Sequence, residues 1–228
     1  MSKDRILVVD DEPQIQRFLR PALEAAGYDV IEALTGADAL KAAATAAPDL
    51  VILDLGLPDM DGKEVIARLR GWSHVPIIIL SARDKETEKI AALDLGADDY
   101  VEKPFGIGEL TARMRTALRH HVKAEGGYTE ITVDGLTIDM ARRIVQRDGQ
   151  ALKLTPKEYD LLALLARHAG RVVTHKTLLT SVWGPAHGED MHYLRVFIGQ
   201  LRSKVERAPA DPKIIRTEPG VGYRFVAD

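Results

Sequence analysis

Three acids, one hydroxyl and one amine stand out because each closes an apolar run. Asp10 and Asp11 follow "RILVV" (5–9), Asp54 follows "LVIL" (50–53), Ser81 follows "PIIIL" (76–80) and Lys103 comes just after "DYV" (99–101). Neighbouring carboxylates raise one another's pKa unless a cation joins them. With oxygen ligands only, a small hard cation such as Mg²⁺ fits, held by a few protein oxygens and water. A hydroxyl and an ammonium complete a cradle for a phosphoryl group, in which Asp54 is a carboxylate nucleophile toward phosphorus. Singly, such residues are ordinary helix caps or solvated loop groups; as an ordered set they describe one site.

Bringing them together requires a particular arrangement of elements. The apolar runs 5–9, 28–33, 50–53, 76–80 and 99–101 read as strands. Helical patterns lie between and after them at 13–27, 36–47, 62–72, 85–96 and 107–121. Strand–helix alternation predicts an α/β fold, a parallel sheet covered on both faces. All five groups then lie at carboxyl ends of strands, the edge where open α/β sheets bind ligands. Pro21 falls inside the first helix, where an interior proline costs about 3 kcal/mol or kinks the backbone. A cis Lys103-Pro104 bond would aim the lysine, although only about 5–6% of X–Pro bonds are cis.

Composition sets the outer limits. The 228 residues include no cysteine, which removes disulfides and thiolate metal sites and is compatible with a reducing cytosol. No run reaches membrane-helix length, and "MSKDRILVVDDE" is a poor signal peptide, so a cytoplasmic location without membrane partners is expected. The net charge of −3 is unevenly spread. Residues 1–121 carry 15 Lys+Arg against 21 Asp+Glu, whereas residues 122–228 carry 16 against 13. An acidic half joined to a mildly basic half predicts two domains with different partners.

The stretch "HHVKAEGGY" (120–128) loses apolar periodicity and carries two glycines, so it reads as a linker. The expected boundaries are a domain over 1–121, a linker over 122–128 and a second domain over 129–228. Residues 130–155 alternate and are broken by Asp-Gly turns, as antiparallel hairpins are. Helical patterns follow at 156–168, 174–182 and 190–207, then strand, glycine turn and strand over 214–228. On the last helix Leu194, Phe197, Ile198, Leu201 and Val205 form the buried stripe; His192, Tyr193, Arg195, Gly199, Arg202 and Lys204 lie largely off it. Such a basic, aromatic-flecked face has the chemistry to enter a DNA major groove.

"ILVVDDE", "VILDLGLPDMDG", "IIILSA" and "DDYVEKPF" resemble a response-regulator receiver domain over about residues 3–121. That resemblance implies a (βα)5 unit with strand order 2-1-3-4-5 and a phosphoryl group accepted by Asp54 from a sensor histidine kinase. It further implies Mg²⁺ at Asp11, Asp54 and the Gly56 carbonyl, with Asp10 acting through water, and Ser81 and Tyr100 as a switch pair. Lys89, Asp94, Asp98, Asp99, Glu109, Arg113 and Arg115 are by default solvated. In receivers resembling this one they pair across a two-fold dimer: Lys89 with Glu109, Asp94 with Arg115, Asp99 with Arg113.

"LTPKEYDLLALLARHAGRVVTHKTLL", "VWG" and "GVGYRF" resemble the winged helix-turn-helix effector, an α+β unit, of OmpR/PhoB-type regulators. This implies that Arg195, Arg202 and Lys204 meet bases or phosphates, that His192 and Tyr193 read bases, and that Thr217, Tyr223 and Arg224 support the wing or backbone contacts. It also implies that residues 183–190 touch RNA polymerase. Pro219 stands where some relatives carry a minor-groove arginine, which speaks against that readout. "DLGLPDMDG", "KPFGIGEL", "VWGP" and "HYLRVFIGQLR" resemble the potassium-responsive, Kdp-type branch, implying a matching sensor kinase and control of a high-affinity potassium-uptake operon.

Two rival readings have distinct signatures. A Mg²⁺-dependent phosphohydrolase of the haloacid-dehalogenase type has a second acid two residues after its nucleophile; here that residue is Gly56, so at most self-phosphorylation from small phosphodonors and slow self-dephosphorylation are expected. A receiver serving only for dimerisation would not need the acceptor residues, all of which are present. A dinucleotide site is disfavoured because "VVDDEPQ" lacks Gly-x-Gly-x-x-Gly.

Overall fold

A computed structural model describes residues 3–82, 86–124 and 130–226. The chain divides into two compact units, Met1–His121 and Val122–Asp228. In the first, strands β1 (Arg5–Val9), β2 (Asp29–Ala33), β3 (Leu50–Asp54), β4 (Ile77–Ala82) and β5 (Asp99–Lys103) alternate with helices α1 (Pro13–Ala25), α2 (Gly36–Ala46), α3 (Gly62–Arg70), α4 (Glu86–Asp94) and α5 (Ile107–Ala124). The sheet is parallel in the order β2-β1-β3-β4-β5.

Near-continuous apolar strands follow from burial on both faces. Ile6, Val8, Ile52, Ile78, Leu80 and Val101 pack with Leu19 and Leu23 of α1 and Leu110 and Met114 of α5. The alternate residues Leu7, Val9, Val51, Leu53, Ile77 and Ile79 are fully buried as well. The strand order reverses between β1 and β3, and this switch point is where open sheets form a ligand crevice. Helix α1 continues through Pro21, which is exposed, so the lost backbone bond lies on the water side.

The expected linker is shorter than the sequence pattern indicated. Helix α5 runs to Ala124, so residues 122–124 are helical, and 125–129 lie outside the described residues. Lost apolar periodicity signals the end of a buried face, not the end of a helix. Ser81 and Lys103 also lie within the last turns of strand rather than beyond it.

The second unit opens with an antiparallel meander, β6 (Glu130–Val133), β7 (Leu136–Asp139), β8 (Ile144–Arg147) and β9 (Gln150–Ala151). Asp134-Gly135 and Asp148-Gly149 all have positive φ, as two-residue type I′ hairpins require. Helices α6 (Pro156–Arg167), α7 (His175–Trp183) and α8 (Met191–Val205) pack on a second sheet of β10 (Val172–Thr174), β11 (Ile215–Glu218) and β12 (Gly222–Phe225). Its order is β10-β12-β11; β10 was not foreseen, being only three residues long. Helix α6 starts with a capping box, Thr155 to the Glu158 N–H and Glu158 back to the Thr155 N–H.

Strand β12 passes so near β10 that a Cβ on Gly222 would lie 2.0 Å from the Val173 carbonyl oxygen. Gly222→Ala is therefore expected to destabilise the second unit by about 3 kcal/mol. Urea unfolding followed by Trp183 fluorescence, with Trp72 replaced by Phe, measures it; an unchanged midpoint would contradict the packing.

Candidate functional site

The acidic edge assembles around Lys103. Parallel pairing sets Val9 beside Leu53, Asp54 beside Leu80 and Ala82 beside Lys103, so the ends of β1, β3 and β5 converge. The Lys103 ammonium lies 2.6 Å from Asp54 Oδ1, 3.1 Å from Asp10 Oδ2 and 3.1 Å from Glu12 Oε1. Burial alone would lower the pKa of Lys103, but the hydrogen bond and charge of Asp54, then those of Asp10, hold it well above the usual lysine range. Asp10 is fully buried, and that burial raises its pKa against the opposing pull of the Glu12 N–H and Lys103. The Lys103-Pro104 peptide is cis.

Asp54 sits at the mouth of a closely held loop. Its Oδ2 accepts from the Gly56 N–H at 2.7 Å, and a Cβ on Gly56 would come within 3.2 Å of that oxygen. Gly62 closes the loop, with room only for hydrogen 2.7 Å from the Asp54 carbonyl. The Asp59 carboxylate accepts from the Gly36 and Ala37 N–H groups at the start of α2, tying loop to helix. Sequence reading missed Asp59, Gly62 and Glu12; only Gly62, in a Met-Asp-Gly turn, carried a local signal.

Asp11 is exposed beside this cluster, while Ser81 is buried. Among the described residues no three His, Cys, Asp or Glu side chains already converge as a metal cage. The donor set nonetheless suits Mg²⁺, which keeps several waters and takes few protein oxygens. A buried carboxyl beside Asp54, with Asp11 open to water, leaves anionic charge that one lysine does not neutralise.

Tyr100 is buried with the Lys89 ammonium 5.0 Å and the Arg113 guanidinium 5.8 Å from its ring centre. The charged set expected at a dimer face is largely engaged within the chain. Lys89 is buried and bonds Glu102 at 2.5 Å; Arg113 bonds Asp99 at 3.1 Å and Glu109 at 3.1 Å. Asp98 is 2% exposed, pairs with Arg70 at 3.0 Å and accepts from the Ile77 N–H, so its carboxylate is committed to partners on α3 and β4 and not displayed as a solvated charge. Asp94, Glu109 and Arg115 are exposed.

On α8, Leu194, Ile198, Leu201 and Val205 are buried, whereas His192, Arg195, Val196, Gly199, Gln200 and Ser203 form an exposed stripe at helical spacing. A Cβ on Gly199 would meet nothing within 4 Å. The stripe has the shape and polarity for a groove: donors and acceptors, a small residue for close approach, and an apolar Val196 for a thymine methyl. Val196, Gln200 and Arg216, exposed on β11, were not singled out from the sequence.

Several expected contacts turn inward instead. Arg202 donates to the Ile215 carbonyl and to Thr217 Oγ1 and lies over the Tyr223 ring. Lys204 bonds buried Glu158 at 2.6 Å and the Lys153 carbonyl. Arg224, 8% exposed, bonds Glu218 and the Gly170 carbonyl, and Tyr223 is 4% exposed. Tyr193 packs against Trp183 and Phe197 while remaining 45% exposed. Arg202, Lys204 and Arg224 thus each find an internal acceptor and join elements together, with Arg202 and Lys204 still partly exposed. Glu206, also unforeseen, accepts from the Lys213, Ile214 and Ile215 N–H groups and anchors β11 to the end of α8.

Burial of Glu158 would raise its pKa, but Lys204 and the Thr155 N–H more than offset this and leave it lowered. A folded value below the unfolded one, about 4.3, stabilises the fold above that pH and is lost as pH falls through the folded value. Glu158→Gln should flatten the acid limb of stability in urea midpoints taken between about pH 3 and 6; an unaltered limb would refute this.

Among the described residues no helix is long and apolar enough to cross a membrane. Family models match twice: the response regulator receiver domain over residues 6–115, and the C-terminal domain of transcriptional regulatory proteins over residues 149–225. The KDP operon transcriptional regulatory protein KdpE of Escherichia coli is 53% identical, covering 97% of this chain and 98% of its own. KdpE of Mycobacterium tuberculosis is 52% identical, with 97% and 99% covered. Among solved structures, the Thermotoga maritima OmpR/PhoB homolog DrrB aligns over 99% of this chain and 100% of its own, at 30% identity and a TM-score of 0.52.

Proposed function

Since the chain belongs to the OmpR/PhoB family of two-component response regulators, which are phosphorylation-activated DNA-binding proteins and not metabolic enzymes, we propose how its own residues carry out that role. Asp54 accepts the phosphoryl group: a carboxylate oxygen bonds phosphorus as the phosphorus–nitrogen bond to the kinase histidine breaks. Lys103, 2.6 Å from Asp54, is the observation that carries this reading, because its ammonium is placed to neutralise the incoming oxygens. Asp11, Asp54 and the Gly56 carbonyl would hold Mg²⁺, with Asp10 beside them acting through water, and the ion would supply charge neutralisation on the phosphoryl oxygens. Phe18, 45% exposed with its ring tilted against that of Phe105, adds an apolar shoulder suited to a protein donor.

Ser81 then turns toward the phosphoryl group and Tyr100 resettles. Lys89, Asp99, Glu109 and Arg113, with Asp94 and Arg115, exchange in-chain partners for those of a second copy. The domains are taken as 1–121 and 129–228. His192, Arg195 and the exposed α8 stripe enter the major groove, Thr217 stands beside the DNA, and residues 183–190 meet RNA polymerase. The donor is a KdpD-like kinase and the target a Kdp-type potassium-uptake operon.

Genome-wide capture of DNA by the purified chain, with and without beryllofluoride and Mg²⁺, tests this. Activator-dependent capture upstream of a potassium-uptake operon is expected, together with a doubled mass in light scattering. Specific capture elsewhere would discard the potassium assignment, and an unchanged monomer mass would discard the dimer.

A further inference from the structure

Gln16 is an unusual residue for the inner face of α1. It is 7% exposed, and its neighbours on that face, Leu19 and Leu23, are fully buried aliphatics. Its Nε2 lies 3.0 Å from the Asp10 carbonyl and 3.4 Å from each of the Val8 and Ala33 carbonyls. Three acceptors around one nitrogen fix the amide orientation, since its oxygen there would face only other oxygens. That orientation leaves Gln16 Oε1 buried with no hydrogen-bond partner among the described residues. An aliphatic side chain would bring no orphaned oxygen, so a buried carboxamide here is explained by what its N–H groups hold.

What they hold is the end of β1. The Asp10 N–H donates to the Ala33 carbonyl at 3.2 Å, and Gln16 bonds both that carbonyl and Asp10's own. The Asp10 carboxylate is in turn fixed by the Glu12 N–H at 2.9 Å and Lys103 at 3.1 Å. The peptide between Asp10 and Asp11 is thereby pinned on its carbonyl side, and its orientation sets where Asp11 projects.

We propose that Gln16 is a positioning residue of the acidic site, its carboxamide clamping the carboxyl ends of β1 and β2 so that Asp10 and Asp11 are presented together to a divalent cation. This rests on the reading of Asp54 as a Mg²⁺-assisted phosphoryl acceptor. Groups that orient metal ligands typically change affinity about 10- to 100-fold when removed.

Gln16→Met keeps the volume and removes the donors. It is expected to weaken Mg²⁺ binding about 10-fold by calorimetry. With a small phosphodonor, the rate should fall by a similar factor at limiting Mg²⁺ and recover at saturating Mg²⁺. In the Mg²⁺-free chain, amide exchange should quicken at Asp10, Asp11 and Glu12 but not at Ile6–Val8, which a general loss of stability would not produce. Unchanged affinity and exchange would overturn the inference and leave the Asp54 reading intact. A wild-type chain that neither binds Mg²⁺ nor takes up phosphoryl groups would instead overturn the Asp54 reading, and the inference with it. If Gln16→Met does not fold, Gln16→Asn, which withdraws the amide by one methylene, is read the same way. Failure of both to fold would make Gln16 a folding residue and refute the proposal.

Discussion

Asp54→Asn is expected to abolish phosphoryl uptake, with a rate loss of at least about 10³-fold, the scale seen when a nucleophile is removed. The amide is nearly isosteric and still accepts from the Gly56 N–H, but it has no anionic oxygen to attack phosphorus. Lys103 keeps Asp10 and Glu12 as partners, so the first unit should fold with little change in stability. The variant therefore separates chemistry from structure. Uptake from phosphorylated kinase and from a small phosphodonor, resolved on phosphate-affinity gels, gives the rate, and thermal unfolding gives the control. Beryllofluoride should no longer double the mass. Uptake at the wild-type rate would place the acceptor elsewhere, and dimerisation with normal promoter binding despite lost uptake would make the first unit a constitutive dimerisation module.

The second large effect divides two cations on one helix. Arg195 is exposed on the α8 stripe, whereas Lys204 is bonded to Glu158. Arg195→Ala should lower promoter affinity about tenfold if it reads a base, or reduce the slope of log affinity against log salt by about 0.9 if it meets a phosphate. Lys204→Ala should leave that slope unaltered. It should instead destabilise the second unit by about 2 kcal/mol, below the roughly 3–5 kcal/mol of a fully buried pair because the Lys204 side chain is 36% exposed. Fluorescence anisotropy over a salt series, paired with urea unfolding, measures both. A lost salt slope in Lys204→Ala at unchanged stability would return that lysine to the duplex.

Much of this was legible in the residues. Five apolar runs determined the parallel sheet, and the four of them that lead into Asp10, Asp54, Ser81 and Lys103 marked the edge that carries the chemistry, because burial on both faces leaves a strand few polar positions until it exits the core. Helical periodicity likewise divided α8 into a buried and an exposed stripe, and Asp-Gly pairs marked the hairpins, since both are local properties read over a few residues.

Tertiary structure alone decided which partners the charged groups find within the chain. Arg202, Lys204 and Arg224 have the same composition signature as Arg195, yet their acceptors lie 13, 46 and 54 residues away in the chain. Asp98 looked solvated until Arg70, 28 residues distant, was folded against it. The clamp of Gln16 on Ala33 was hidden for the same reason. A side chain's type and its helix face follow from neighbours in sequence, but its partner is set by long-range packing. A buried charge is retained only where that packing supplies a countercharge or hydrogen bonds.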